Sequence, residues 1–89
     1  MARFEINTAD IAAMGLQTAN AEVFFQMGID RSIGRNGEAD MVAAHMWFNL
    51  AAAQGNPEAA RYRQEVAAEM SAHEIAEAQR QAREWIRCH

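Results

Sequence analysis

Between Asp40 and Ala59 the order of apolar and polar positions marks a helix start, a buried face, a stop and a restart. Asp40 is placed to accept hydrogen bonds from the orphan N–H groups of a helix start. Gly55 can take the left-handed conformation that closes that helix about four turns later. Asn56 is then a competent N-cap and Pro57 suits a first helical position, where its missing N–H costs nothing. On a wheel of about 100° per residue, Met41, Ala44, Trp47, Phe48 and Ala51 form one apolar arc. Val42, Met46, Leu50 and Ala53 form a second, and only His45, Asn49 and Gln54 interrupt them. A helix apolar nearly all round is buried on more than one side, so this one is expected to sit between neighbours.

The same reading extends along the chain. Asn20 is a candidate N-cap for a first clear helix over 21–33, with Val23, Phe24 and Met27 on one side and Phe25, Ile29 and Ile33 on another. Gly34 is expected to stop it, and 35–39 to form a loop. A third helix is predicted over 57–70, burying Ala59, Tyr62, Val66 and Met70, with its other side charged. Ser71 and Glu74 have the spacing of a capping box for a fourth helix reaching about Arg87. Its buried stripe is Ile75, Ala78, Ala82, Trp85 and Ile86. Residues 1–19 read as an N-terminal docking arm, in which Thr8 is a possible cap before a short helix and Phe4, Ile6, Ile11, Met14 and Leu16 are apolar.

The expectation is therefore an all-α domain of antiparallel helical hairpins, a single unit over 1–89. It divides into the arm over 1–19, a first hairpin over 20–55 and a C-terminal capping hairpin over 56–87.

Within that frame the chain resembles the Sel-one-like repeat, a relative of the tetratricopeptide repeat. The matching positions are Met27, Gly28, Gly34, Asp40, Ala44, Trp47, Phe48, Ala51, Ala52, Gly55 and Ala59, while Arg31 and Asn36 depart from the pattern. The resemblance implies an α-α superhelix and an adaptor role, with a partner held by first-helix residues on the concave face. Phe25, Gln26, Ile29 and Ser32 are the contacts it points to. The competing expectation is that Phe25 and Ile29 are covered by the arm.

Composition narrows the function classes. A chain of 89 residues is one small domain, and although 51% of it is hydrophobic, much of that is alanine, so the core rests on few large side chains. The net charge of −4, with no lysine, argues against a general polyanion binder. A helix-turn-helix over 62–83 can be drawn, but Glu74 and Glu77 stand where base-contacting residues belong. No stretch approaches the ~18 apolar residues of a membrane span, and the single cysteine, Cys88, fits a reducing compartment. A cytoplasmic protein without membrane or nucleic-acid partner is expected.

Catalytic chemistry finds little footing. His45, His73 and His89 lie at no metal-ligand spacing, and Cys88-His89 offers too few ligands. His45 is expected at the solvent or the core edge, rather than as a ligand contact. The methionines at 27, 41, 46 and 70 are expected to fill core, and the stripe of Arg80, Arg83 and Arg87 to pair with Glu77 and Glu84 on a solvated face. The overall expectation is a non-enzymatic interaction module with a protein partner and no cofactor or metal. The alternative is a self-associating homodimer.

Overall fold

The computed structural model describes residues 8–35 and 37–89, with 8–19 as backbone only. Four helices follow one another: α1 (Thr8–Ile33), α2 (Met41–Ala53), α3 (Pro57–Ala67) and α4 (Ala72–Cys88).

The ends of α2, α3 and α4 follow local chemistry. Asp40 accepts a hydrogen bond from the Ala43 N–H at 3.0 Å and caps α2. At the far end Gly55 adopts φ +106°, the Gly55 N–H reaches the Ala52 carbonyl, and the Asn56 N–H reaches that of Ala51. These are the two bonds of a Schellman stop. The Asn56 side chain then accepts from the Glu58 and Ala59 N–H groups, so one short turn closes α2 and opens α3. Ser71 and Glu74 form both halves of the capping box that starts α4. α3 ends at Ala67, three residues before the expected Met70, and α4 runs to Cys88.

α1 departs from the expected boundary at Asn20. It is one helix of 26 residues that passes through the proposed junction between arm and hairpin. Asn20 is therefore an exposed interior residue and not a cap. The physical reason is that the segment contains no proline, and isolated Gly15 and Asn20 cost only about 0.5–1 kcal/mol each. Ala9, Ala12, Ala13, Ala19 and Ala21 favour continuing the helix. Phe4 and Ile6, which were expected to dock, lie outside the described residues.

α2 is the element against which the other three pack. Its alanines make that possible: Ala44 and Ala51 are fully buried, as are Ala59 of α3 and Ala78 of α4. The consecutive phenylalanines of α1 serve two sides of α2. Phe24 joins Trp47 and the edge of Trp85, at centroid distances of 5.6 and 5.1 Å, and ties α4 in. Phe25 joins Phe48 and Tyr62 at 5.7 and 5.0 Å and ties α3 in. In the second of these clusters Phe48 is fully buried, which stabilises the fold by about 1.5–3 kcal/mol. A polar tie, Arg63 Nη1 donating to Asn49 Oδ1 at 2.7 Å, joins α3 to α2 and explains one of the polar interruptions on α2.

Several expected core residues are not in the core. Val23, Ile33 and Ile86 are more than half exposed, because α1 and α4 each cover α2 with one face and nothing among the described residues covers the other. His45 differs in the opposite sense. It is buried, since α2 is enclosed on the side where the wheel left a polar stripe.

Candidate partner-binding groove

Two stripes of side chains face each other across α2. On α1 the spacings of three, four and three place Glu22, Phe25, Ile29 and Ser32 on one face. On α3 the spacings of four and three place Glu58, Tyr62 and Glu65 on one face, and Glu69, in the turn after the helix ends at Ala67, lines the same depression as Glu65. The floor between them is Phe48, whose ring lies 5.6 Å from that of Tyr62.

The edge-on contact of Phe25 with Tyr62 bridges the two stripes and divides the groove. One depression, of about 290 Å³, lies between Ala21, Glu22 and Phe25 on α1 and the turn from Gln54 to Glu58. The other, of about 240 Å³, lies beyond the ridge and is lined by Ser32, Met41, Phe48, Tyr62, Glu65, Val66 and Glu69. Both lie at the small end of the range of ligand pockets, which begins at ~300 Å³, and each has room for a side chain.

Four glutamates, Glu22, Glu58, Glu65 and Glu69, rim these depressions. Arg61 is the cation beside the ridge, its guanidinium 5.0 Å from the Tyr62 ring centre and 3.9 and 3.4 Å from Glu58 and Glu65. Among the described residues, four carboxylates against this one guanidinium leave the groove at −3.

Of the four residues expected to touch a partner, Phe25 lines the first depression and Ser32 the second, while Ile29 lines neither and packs against the core of Ala44, Phe48 and Val66. Phe25 and Ile29 are half-buried, and among the described residues they pack against Ala44 and Phe48 of α2 and Val66 of α3; the expected cover by the arm falls on side chains outside those described. Ser32 donates to the Ile29 carbonyl at 2.9 Å and leaves one wall of the second depression small. Gln26 lines neither depression; its amide donates to Asp30 along the exposed side of α1. Tyr62 and the acidic stripe of α3 were not singled out from the sequence as contacts. The available signal was the 4-3-4 spacing of Glu58, Tyr62, Glu65 and Glu69.

The repeat-motif positions have structural roles. A Cβ on Gly28 would meet the Phe48 ring at 2.5 Å, so this glycine lets an aromatic ring from α2 rest against the α1 backbone. Gly34, at φ +72°, closes α1, with the Arg35 N–H reaching the Asp30 carbonyl. Met27, Trp47 and Ala52 are half-buried around the core that Ala44, Phe48, Ala51 and Ala59 fill.

Away from the groove, the Nδ1 atom of His45 has no hydrogen-bond partner among the described residues. Burial, and secondarily the neighbouring Arg63, lower the pKa of this imidazole, so it is held neutral. Two of the three arginines in the α4 stripe pair along their own helix, Arg80 with Glu77 and Arg87 with Glu84. Among the described residues no three of His, Cys, Asp and Glu converge as metal ligands would. No helix among them is long and apolar enough to cross a membrane.

No family model matches this chain, and no curated protein or solved structure is similar to it. The functional reading therefore rests on the residues and their geometry.

Proposed function

We propose that the protein is a non-enzymatic interaction module of the Sel-one-like repeat type, which holds a segment of a protein partner in the groove between α1 and α3. The observation that carries this reading is the pair of facing stripes. They leave an aromatic ridge and two side-chain-sized depressions open to solvent, beside a core already closed by other residues. The placement of Gly28 against Phe48 supports the repeat reading, because a close approach of two helices is what the glycine of the motif provides. A cytoplasmic location belongs to the same proposal, in keeping with the exposed thiol of Cys88.

The test is selection of random-sequence peptides on the full chain, with Ser32→Trp as the comparison. An indole at this position fills the second depression from its rim, and circular dichroism and thermal unfolding establish that the variant is folded. Charge insertion at Phe25 or Ile29 is a poorer choice, since both side chains pack against Phe48 or its neighbours. Selected peptides should shift the backbone amides of 25–32 and 58–69 and bind the folded variant more weakly. Selection of no peptide, or of peptides that bind both forms equally, sinks the reading.

A further inference from the structure

We infer that the partner segment is an extended, basic peptide whose two cationic side chains stand four residues apart, one entering each depression. This rests on the groove reading above and adds the chemistry of the occupant.

Charge decides the sign of the partner. Among the described residues the groove carries a local charge of −3, and its acidic groups stand at both ends of the ridge: Glu22 and Glu58 at one depression, Glu65 and Glu69 at the other. An acidic peptide or a phosphate backbone meets repulsion at both ends. A cation is attracted at both, and the groove already shows how one is held. Arg61 lies over the Tyr62 ring between two glutamates, which is a cation–π contact flanked by carboxylates. A partner arginine can repeat those interactions in the depressions on either side.

Length decides the spacing. From Glu22 to Ser32 the axis of α1 advances ten residues, about 15 Å. An extended peptide rises roughly 3.3 Å per residue and turns alternate side chains to the same face, so positions i and i+4 are about 13 Å apart and point the same way. Position i+2 then lies over the Phe25–Tyr62 ridge, where an apolar side chain fits. The size of the depressions agrees with one side chain in each.

The experiment titrates the full chain with acetyl-Ser-Arg-Thr-Leu-Thr-Arg-Ser-amide, followed by backbone amide shifts and by fluorescence anisotropy of a labelled copy. Two controls replace both arginines by glutamate, or one of them by serine. The two-arginine peptide should shift amides on 22–32 and 58–69, bind at least about tenfold tighter than the glutamate peptide, and weaken several-fold in 0.5 M salt. Losing one arginine should cost about threefold, the usual range for an exposed ion pair. Glu65→Gln/Glu69→Gln, both on the exposed rim, should bring the two-arginine peptide down to the single-arginine level.

If the glutamate peptide binds the same amides equally well, the basic partner is refuted and the groove reading stands. Shifts confined to other helices, or no shifts with any of the three peptides, refute the proposal too, and the groove reading is then decided by the random-peptide selection.

Discussion

Gly28 and His45 show how single positions on this scaffold constrain it in opposite ways. Gly28→Ala gains about 1 kcal/mol of helix propensity but drives a methyl group into a fully buried ring, an overpacking that costs typically 1–3 kcal/mol. Because Phe48 is held between α1, α2 and α3, the steric term should win. We expect the unfolding midpoint to drop by roughly 5 °C in a thermal melt, and an unchanged or raised midpoint would show that the ring has room to move. At His45 the effect is electrostatic. Its folded-state pKa lies below the ordinary value of 6.5, so the unfolded chain binds the extra proton more readily than the folded one. Stability is therefore intact above pH 6.5 and is lost as pH falls below it. Thermal midpoints measured from pH 7.5 to 5.5 should decline in the wild type, and the decline should be shallower in His45→Leu; parallel profiles would assign the loss to other groups.

At the scale of elements, two asparagines of similar sequence appearance have opposite roles. Asn56 accepts two N–H groups at the start of α3, so Asn56→Ala should destabilise by about 1 kcal/mol. Asn20 lies inside α1, where alanine is the better helix former, and Asn20→Ala should stabilise by up to about 0.5 kcal/mol. Urea unfolding of both variants checks the pair, and a destabilising Asn20→Ala would restore a helix boundary at that residue. Residues that act within one turn were legible from the sequence for this reason. Asp40, Asn56, Ser71, Gly34 and Gly55 each bond to backbone a few positions away, and each bounds the helix that it was expected to bound. A helix start near Thr8 was legible, but the continuity of α1 through Asn20 was not, because a weak breaker in an alanine-rich run leaves no local mark when the helix continues through it. The groove was half legible. Periodicity placed Phe25 and Ile29 on one face together with Ile33, and Ser32 followed only from what the family resemblance implies, but which face of α3 would meet them is a matter of tertiary packing. The acidic stripe of α3 therefore read as a solvated side.

The whole molecule is arranged around α2. It is a helix of 13 residues against which three others pack, with the tightest burial along its length. Amides of α2 should consequently exchange with solvent only through global unfolding, while those near the end of α4, where Ile86 and Cys88 are exposed, open locally. Native-state hydrogen exchange resolves this directly. Equal protection of all four helices would replace a graded structure by an all-or-none one, and lower protection of α2 would contradict its central position.

The separation of the two aromatic clusters supplies the molecule with two optical reporters. Both tryptophans, Trp47 and Trp85, lie with Phe24 where α4 meets α1 and α2, and the single tyrosine, Tyr62, lies on the ridge of the groove. Tryptophan emission should thus follow the docking of α4, whereas a ligand in the proposed groove should perturb the absorbance of Tyr62, and a change in one signal without the other would locate a ligand before any label is attached.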